Sequence, residues 1–588
     1  MPSDAIVELV TRGATVTSEL AKDPSKDIDK VAEKLFPAGA VGGKKSKEAT
    51  RALKGHDDYS ERDLELAQRC GKFPHKPSDL FLKMYSDVLD TLERDPLIGV
   101  VSPPLLGASG VVPLSIVSTI PDIMRHYHEL IVNCKHEVML ATNFWEDSYA
   151  SSFVRDALLE LSSRYQANPA KYENRKPVVK LIYDRGSPKQ VFQNHLHIPP
   201  EEWEGLGLPK PDSIPGIDFE TMNYHRPIAG TFHAKYMVVD RRVAVLNSNN
   251  IQDNVNVEMM IQLEGPIVES FYDMSLISWA KASTIPLPLI SGPFAPEQDF
   301  KFGPENSTLH YITVPPSEGG VAGQWQAPDK LKNTPITAPG FASHYMHKPH
   351  APVPMAMVNR HPHGTPGHED IDVPQNAAWL AGFRLAKKSI FIQTPDFNAK
   401  PVVEACLEAC RRGVECTLYI DLGYNDAAET LPFQGGTNSR VVMELYQKLN
   451  SEGKGGLLKW YWYTAKDRPT PVDAVKTERN CHIKFAMFDD QVAILGNGNQ
   501  DTQSWFHSQE INVMVDSPQL CHEWLEAINR NQNTLVNGKV DEKDGLYRDK
   551  EGNVIQSAGG TDTGPKALFK GIKGTIDRVR GVGGTGGA

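Results

Sequence analysis

The stretch HAKYMVVDRRVAVLNSNN at residues 233–250 recurs as HIKFAMFDDQVAILGNGN at residues 482–499. In both copies a histidine and a lysine stand two positions apart, an aspartate follows after four intervening residues, and an asparagine lies ten residues beyond the aspartate. Because side chains at i and i+2 of a strand share a face, we expect each histidine and lysine to project from the same side of a strand. Such groups can converge on one small anion.

Three landmarks indicate that the whole region around the motif is duplicated. The corresponding residues are Thr142 and Thr394, Asp184 and Asp421, and His233 and His482. Their separations of 252, 237 and 249 residues are nearly constant, as in a repeat whose loops have changed length. Helical and strand patterns alternate before each motif, so we predict an α/β fold with two similar α-β-α lobes related by a pseudo-twofold, and an active site at their interface.

The composition divides the chain into five segments. They are a helical N-terminal extension (1–75), lobe one (76–285), a linker rich in Pro, Gly and His (286–371), lobe two (372–547) and a flexible, Gly-rich basic tail (548–588). In lobe one, Ser78 and Asp79 can cap a helix with apolar residues at helical spacing from Leu80 to Leu92. Within the linker, VPMAMVNR could form a strand of lobe two.

The residue types of the two motifs suit phosphodiester chemistry. A phosphodiester is an anion, so attack on phosphorus requires cations and hydrogen-bond donors around the phosphate oxygens. Lys235 and Lys484 can supply the charge, and Ser248, Asn250 and Asn499 can supply hydrogen bonds. A neutral imidazole is a competent nucleophile near neutral pH and a second imidazole can transfer protons, so two histidines suffice without a metal or cofactor.

The duplicated pattern resembles that of the phospholipase D superfamily, whose signature is HxKxxxxD followed by a strand and a tetrapeptide similar to G/N-S-x-N. The resemblance spans about residues 115 to 535, and QLEGPIVESFYDMSLISW is similar to the corresponding segment of cardiolipin synthases and bacterial phospholipases D. It implies phospholipase D-type lobes. Lobe two departs from the pattern with Asn497 in place of Ser, and lobe one with Asn247 in place of Gly, so one hydroxyl is lost from the phosphate site.

The same resemblance implies roles for individual residues. His233 is the expected nucleophile, forming a phosphohistidine, and His482 the expected general acid and base, although the pseudo-twofold leaves these roles interchangeable. The catalytic set is completed by the remaining motif residues Lys235, Asp240, Lys484 and Asp489. Within it, the two aspartates are expected to tie strand to turn rather than to take part in chemistry. Glu258 and Glu510 are candidates to accept the second ring N–H of each histidine, the alternative being carboxylates at the edge of the core.

Composition limits the classes of partner and compartment. With 40% hydrophobic and 23% charged residues, the chain resembles a globular protein. A formal net charge of −11 disfavours broad nucleic-acid binding, although a basic cleft can exist on an acidic protein. The seven cysteines lack CxxC spacing, and the N-terminus resembles neither a secretory signal nor a transit peptide. We expect a monomeric cytoplasmic protein, peripheral on membranes at most.

Three weaker patterns leave alternatives open. The linker contains six histidines that could indicate a metal site: His344, His347, His350, His361, His363 and His368. Their spacing fits no tight zinc pattern, so we expect that they bind no metal and that their side chains are exposed. The aromatic run 460–463 can line an acyl-chain entrance or pack in the core. Residues 565–582 of the tail form a basic amphipathic pattern that could contact an anionic membrane or remain flexible.

These observations favour a phospholipase D-like enzyme that hydrolyses a phospholipid phosphodiester or transfers a phosphatidyl group to an alcohol, as cardiolipin synthases do. A nuclease of the same superfamily would use the same chemistry in a long basic channel. A non-catalytic phosphate- or lipid-binding member is the third possibility, but both histidines and both lysines of the motifs are retained. The head group and the acceptor are not determined by the sequence.

Overall fold

The computed structural model describes residues 2–38, 58–186, 188–313, 328, 331, 334–426, 435–477 and 479–555. Two large mixed β-sheets with helices packed against them make up most of these residues. The α/β fold class predicted from the alternating pattern is therefore confirmed. The basic segment 565–582 of the tail lies outside the described residues.

The strands are numbered in chain order. They are β1 (Gly107–Gly110), β2 (Leu114–Ser118), β3 (Glu137–Thr142), β4 (Val178–Tyr183), β5 (His195–His197), β6 (Asp218–Tyr224), β7 (Tyr236–Val239), β8 (Val243–Asn247), β9 (Glu258–Glu264), β10 (His344–Met346), β11 (Val353–Met357), β12 (Ser389–Thr394), β13 (Glu415–Ile420), β14 (Leu458–Trp462), β15 (Phe485–Phe488), β16 (Val492–Gly496), β17 (Asn512–Asp516), β18 (Tyr547–Arg548) and β19 (Val554–Ile555).

The α-helices are numbered in the same way. They are α1 (Asp4–Thr11), α2 (Val16–Lys22), α3 (Ile28–Leu35), α4 (Glu61–Arg69), α5 (Asp79–Asp90), α6 (Ile120–Val132), α7 (Tyr149–Ala167), α8 (Ile267–Ser278), α9 (His310–Thr313), α10 (Pro374–Leu385), α11 (Lys400–Arg412), α12 (Asn438–Ser451), α13 (Ala474–Thr477), α14 (Thr502–Phe506), α15 (Pro518–Arg530) and α16 (Thr534–Asn537).

The two sheets share one topology. The first sheet, of lobe one, has the strand order β10-β2-β9-β8-β7-β3-β4-β6-β5, and the second, of lobe two, has the order β1-β11-β17-β16-β15-β12-β13-β14. The run β9-β8-β7-β3-β4-β6 of the first sheet matches β17-β16-β15-β12-β13-β14 of the second. In both runs three parallel strands adjoin three antiparallel ones. The internal duplication predicted from the three landmarks thus corresponds to two lobes of the same fold.

Strands from outside each repeat complete the sheets. The segment 286–371 supplies β10 to the edge of the first sheet and β11 to the second. The short strand β1, which precedes the first repeat, pairs with β11 in the sheet of lobe two. The connections between the lobes are therefore built into both sheets.

Helices before the first repeat contact both lobes, since the Ser78 hydroxyl donates to Asp516 of lobe two at 2.7 Å and α2 bonds to lobe one. Ser78 caps α5 by accepting a hydrogen bond from the Phe81 N–H, and the helix predicted from Leu80 onward is confirmed. Further upstream, the backbone N–H and the hydroxyl of Thr17 both donate to the buried Asp273 on α8. The N-terminal helices therefore pack on the body of the protein. None of the described helices is long and apolar enough to cross a bilayer.

The motif histidines and lysines lie just before their strands. β7 begins at Tyr236 and β15 at Phe485, so the expectation that each histidine and lysine stand within a strand is wrong. The backbone here bonds to side chains and to isolated backbone groups instead of a regular ladder. For example, the Lys235 N–H donates to the Asn497 side-chain oxygen at 3.0 Å.

Candidate active site

The two motifs begin at the edge where the parallel strands of each sheet end. The Asp184 carboxylate, just after β4, accepts the Phe232 N–H at 2.5 Å. In lobe two the Asp421 carboxylate, just after β13, accepts the Cys481 N–H at 3.1 Å. Each bond fixes the residue immediately before a motif histidine. The sequence identified these aspartates as corresponding landmarks, but not as anchors of the motifs.

Each motif histidine is held by a carboxylate of the opposite lobe. Nδ1 of His233 in lobe one lies 2.8 Å from a carboxylate oxygen of Glu510 in lobe two. Nδ1 of His482 in lobe two lies 3.0 Å from a carboxylate oxygen of Glu258 in lobe one. A carboxylate accepting the Nδ1–H leaves the Nε2 lone pair available for attack or proton transfer. The two pairs cross between the lobes, so neither lobe can orient its histidine alone.

Both reactive ring atoms are buried. His233 and His482 are each 2% exposed. Within the described part of the chain, neither Nε2 atom has a hydrogen-bond partner. A buried polar atom without a partner costs stability unless something binds it, so the two Nε2 atoms mark the point where a substrate would be engaged.

Two serines support the orienting carboxylates. The Ser248 hydroxyl donates to Glu258 at 2.5 Å, and the Ser504 hydroxyl donates to Glu510 at 2.7 Å. Ser248 also accepts the Met259 N–H, so its hydroxyl is engaged with the carboxylate rather than free for a phosphate as expected. Ser504 performs in lobe two what Ser248 does in lobe one. The hydroxyl missing at Asn497 is thus supplied from α14.

The lysines lie beside the histidines. Nζ of Lys235 donates to the His233 carbonyl oxygen at 3.0 Å, and Nζ of Lys484 donates to the His482 carbonyl oxygen at 2.7 Å. Burial lowers the pKa of Lys235 to about 7 and that of Lys484 to about 8, in both cases partly offset by the glutamates, and the charge of Lys484 adds to the shift of Lys235. A bound anion would favour the charged form of both lysines.

The same burial acts on the histidine and glutamate pairs. Burial and the nearby lysines hold the pKa of His233 well below its ordinary value. Burial lowers the pKa of His482 to about 4, although Glu258 opposes the shift. Burial raises the pKa of Glu510 to about 8. These shifts favour the neutral form of both imidazoles when no substrate is bound, and Nε2 of His233 can act as a nucleophile when the proton shared with Glu510 lies on Nδ1.

The asparagines divide into two kinds. Asn497 joins the lobes, because its side chain accepts the Lys235 N–H and donates to the Asn247 carbonyl oxygen at 2.6 Å. The side-chain oxygen of Asn250 accepts a long hydrogen bond from the Asn143 amide at 3.4 Å. Asn499 donates to Asp501, and its side-chain oxygen has no partner among the described residues. Asn250 and Asn499 therefore remain candidates for contacting a phosphate.

Asp240 and Asp489 lie at the far ends of the strands. Asp240 accepts the backbone N–H groups at positions 135, 136 and 137, where β3 begins. Asp489 accepts those at positions 387, 388 and 389, where β12 begins. The six residues of β3 span about 20 Å between this end and the histidine end. Both aspartates were included in the expected catalytic set. In the structure each one holds the turn after its motif strand against the start of the neighbouring strand, β3 or β12, and neither reaches the histidines.

Comparison with known protein families gives a match for part of lobe two. Residues 380–531 match the family model described as the cardiolipin synthase, PLD-like domain. This part of the chain is a phospholipase D-like domain. The match confirms the resemblance to the phospholipase D superfamily that the duplicated motifs indicate. The comparison with curated proteins gives no match.

Several solved structures show a weak likeness to the chain. Phosphatidylserine synthase from Haemophilus influenzae Rd KW20 is 14% identical, with a TM-score of 0.47, over 84% of this chain and 100% of that one. The phospholipase D family member Nuc from Salmonella typhimurium is 16% identical, with a TM-score of 0.22, over 34% of this chain and 98% of that one. Polyphosphate kinase from Porphyromonas gingivalis is 10% identical, with a TM-score of 0.36, over 78% of this chain and 52% of that one. Such values support no conclusion about activity.

One residue near the first motif has no equivalent in the phospholipase D-like domain. His225 is buried and its Nδ1 lies 3.0 Å from Asp184, the carboxylate that also anchors the first motif. Burial opposes protonation of His225, but Asp184 raises its pKa above the ordinary value. Eight residues before His482 the chain has Ala474 instead. The repeat pattern therefore gave no signal for His225.

The linker histidines are not exposed as expected. All six are buried or half-buried, because the linker contacts both lobes. His347 illustrates this: its Nδ1 lies 2.7 Å from Glu523 of the phospholipase D-like domain, and its Nε2 lies 2.8 Å from Ser115 of lobe one. Its ring nitrogens are both engaged, in contrast to those of His233 and His482.

A group of cysteines and a run of aromatic residues lie in the core of the phospholipase D-like domain. Within the described ranges, one group of His, Cys, Asp or Glu side chains is close enough to share a metal ion, namely Cys406, Cys410 and Cys416. All three are buried near the start of β13, at the end of this strand remote from Asp421. The aromatic side chains at 460–463 are also buried, so they pack in the core.

Proposed function

We propose that the chain is a phospholipase D-like enzyme that cleaves a phospholipid phosphodiester through a phosphohistidine and passes the phosphatidyl group to water or an alcohol. The observation that carries the proposal is the crossed arrangement of the two His–Glu pairs. Nδ1 of each histidine lies within hydrogen-bond distance of its glutamate, and both Nε2 atoms are buried without a partner in the described part of the chain. One phosphate can lie between two such rings.

In the proposed first step, Nε2 of His233 attacks phosphorus and the bond from phosphorus to the head-group oxygen breaks. Nε2–H of His482 gives its proton to that oxygen, so the head group leaves as a neutral alcohol. In the second step His482 removes a proton from water or an acceptor alcohol, whose oxygen attacks phosphorus. The bond between phosphorus and His233 then breaks, and both rings return to their starting states.

The negative charge of the substrate favours the protonation states that these two steps require. Without a ligand, burial keeps the pKa of His482 at about 4, so the ring lacks the proton that the first step requires. A bound phosphodiester adds a negative charge beside the ring and favours its protonated form. Lys235 and Lys484, with Asn250 and Asn499, would then stabilise the charge that develops on the phosphate oxygens.

Two features favour a lipid over a nucleic acid as the substrate. The family model matched by residues 380–531 is named for cardiolipin synthase, an enzyme of phospholipids. The net charge of −11 disfavours a long contact with a phosphate backbone. Members of such families are phosphodiesterases or transferases, and the proposal includes both outcomes because the acceptor that replaces the head group is open.

The test uses three variants and one assay. Wild type, His233→Ala, His482→Ala and the control His347→Gln are incubated in EDTA with mixed phospholipid vesicles and a short-chain alcohol. The control alters a buried His–Glu pair of similar length outside the motifs. We expect phosphatidic acid or phosphatidylalcohol from wild type and control, and a rate lower by about 10³-fold or more in the two motif variants.

Three results would overturn the proposal. Cleavage of oligonucleotides that both motif substitutions abolish, with no lipid product, would establish a nuclease. Lipid binding without turnover of either substrate would establish a binding protein. Lipid turnover that survives both motif substitutions would place the chemistry elsewhere. Thermal unfolding of each variant shows whether a loss of activity reflects a loss of fold.

The roles of the two histidines can be separated with an activated ester. A p-nitrophenyl leaving group departs without a proton, so it does not need the general acid. We expect His482→Ala to accumulate the phosphohistidine, seen as added mass on the intact protein, whereas His233→Ala forms none. Accumulation in His233→Ala instead would exchange the two roles.

A further inference from the structure

Two loops of lobe one expose large apolar side chains next to the motif edge. Phe192 is 93% exposed and Val191 is 64% exposed, just before β5. Ile228 is 61% exposed, just after β6. Exposed apolar residues are ordinary when they are scattered, but a group of them indicates a surface that contacts something. We call Val191, Phe192 and Ile228 the apolar rim.

The backbone brings these loops together. β5 and β6 are antiparallel neighbours, and the pairing continues beyond them, because the His225 N–H donates to the Asn194 carbonyl oxygen at 3.1 Å. Phe192 lies two residues before Asn194, and Ile228 lies three residues after His225. The apolar rim therefore lies at one corner of the sheet.

Ile228 occupies the middle of a tight turn. Arg226 and Gly230 pair across this turn, and Ile228 has a φ of 77°, in the left-handed region that β-branched residues rarely adopt. Lobe two supports the turn, since the Gln503 side chain donates to the Ala229 carbonyl oxygen at 2.7 Å. A left-handed backbone is unfavourable for isoleucine, and the side chain is exposed. A function of this side chain at the surface would explain why the strained conformation is present.

The apolar rim is close to the chemistry. Ile228 precedes His233 by five residues, and Phe232 between them is anchored to Asp184. β6 belongs to the three parallel strands whose carboxyl ends form the motif edge. Whatever contacts the apolar rim is therefore presented to the side of the protein where the motif histidines lie.

The charge of the two loops is opposite to that of the whole chain. Residues 185–194 and 225–231 contain Arg185, Lys189 and Arg226 and no aspartate or glutamate, whereas the chain carries a net charge of −11. All three basic side chains are exposed. Apolar side chains flanked by cations suit a surface that is apolar inside and anionic outside, which is the character of a bilayer containing anionic phospholipids.

We propose that the apolar rim inserts into an anionic phospholipid surface while Arg185, Lys189 and Arg226 contact the head groups. The proposal rests on the proposed function in one respect, that docking here would bring a phospholipid to the motif edge. It gives the buried site a route to a substrate that resides in a bilayer, without requiring the 565–582 tail.

The test measures vesicle binding of the full chain apart from turnover. Vesicles of phosphatidylcholine alone, or mixed with phosphatidylglycerol, are sedimented with wild type, with the double variant Phe192→Ser/Ile228→Ser, and with the control Met346→Ser. Met346 is 41% exposed on β10, the opposite edge strand of the same sheet, about 38 Å away across eight strand spacings. The tail is common to all three proteins, so differences between them report on the rim.

We expect the double variant to bind mixed vesicles about 100-fold more weakly than wild type, roughly tenfold for each lost apolar side chain, and the control to bind like wild type. Replacing Arg185, Lys189 and Arg226 with Gln should weaken binding to mixed vesicles more than to phosphatidylcholine alone. On a short-chain phospholipid dispersed as monomers, the double variant should match wild type, because the motif residues are unchanged.

Other outcomes separate this inference from the proposed function. The membrane-docking proposal is wrong if wild type fails to bind vesicles. It is also wrong if the double variant binds as well as the control. A double variant that fails on monomeric lipid as well overturns it too, since the loops would then shape the site itself. If vesicle binding depends on the apolar rim but none of the proteins turns over lipid, the docking proposal is supported and the proposed function is wrong.

Discussion

At the scale of single residues, the site is governed by burial. Two lysines, two histidines and two glutamates meet in a space from which water is largely excluded, and burial weakens the charged form of most of them. The free protein therefore holds its site in a nearly neutral state. Binding of one phosphodiester would restore the charges that the chemistry needs.

This balance predicts a pH dependence for kcat/KM, which reports on the free enzyme. Lys235 has a pKa of about 7, so it is charged below that pH and loses its charge as the pH rises. We expect the slope of log kcat/KM against pH to become more negative by about one above pH 7, in addition to the fall that loss of the His482 proton causes from about pH 4 upward. In Lys235→Arg the cation persists, so the decline should move up towards the pKa of Lys484, about 8.

The measurement is a pH profile on a monomeric short-chain lipid, so that vesicle binding does not contribute. Lys484→Arg is the matched variant, and it should leave the alkaline decline near pH 7 because Lys235 is retained. An unchanged profile in Lys235→Arg would show that another group sets the decline.

Sequence reasoning reached part of this residue-level picture. The motifs predicted both histidines and lysines, and named Glu258 and Glu510 as orienting groups. They could not show that each glutamate serves the histidine of the other lobe, since that depends on how the lobes pack. Ser504 was also missed, because its hydroxyl comes from the helix after the tetrapeptide rather than from the tetrapeptide itself.

At the scale of elements, the repeated strands were predictable because they are apolar and bounded by polar turns. The strands β1, β10 and β11 were harder, since they are short and pair with residues far away in the chain; only VPMAMVNR was considered as a strand. The starts of β7 and β15 were misplaced for another reason. The Lys235 N–H bonds to the Asn497 side chain and the His482 N–H to the Val257 carbonyl oxygen, instead of to a neighbouring strand of their own sheet.

Element geometry also predicts what Asp240 and Asp489 do. Each carboxylate accepts three backbone N–H groups at the start of a parallel strand. Asp240→Asn keeps the shape and tolerates the positive φ of this position but weakens these bonds. We expect the free energy of unfolding to fall by about 1–3 kcal/mol, while kcat below the unfolding temperature changes by less than about threefold.

Denaturant unfolding and steady-state kinetics on the same sample check this prediction. Asp489→Asn should behave like Asp240→Asn, because the two carboxylates make equivalent bonds. A large loss of kcat with unchanged unfolding would mean that the aspartate acts on the chemistry after all.

At the scale of the whole molecule, the crossed His–Glu pairs join the two lobes in a single candidate site. Lobe one supplies His233 and the Glu258 carboxylate that contacts His482. Lobe two supplies His482 and the Glu510 carboxylate that contacts His233. Asn497 adds a hydrogen-bonded link between the strands beside them. Because both lobes belong to one chain, a complete site forms without a second copy.

This organisation predicts that two inactive variants cannot rescue each other. His233→Ala and His482→Ala, expressed together in one cell and purified as a mixture, should show only the sum of their separate residual rates. If chains instead exchanged lobes, as in a domain-swapped dimer, half of the sites in mixed dimers would have both histidines, and about a quarter of the wild-type rate would return. Coexpression of His233→Ala with His347→Gln provides the positive control, since one intact site then remains on every His347→Gln chain. Restored activity would show that the site is built between chains.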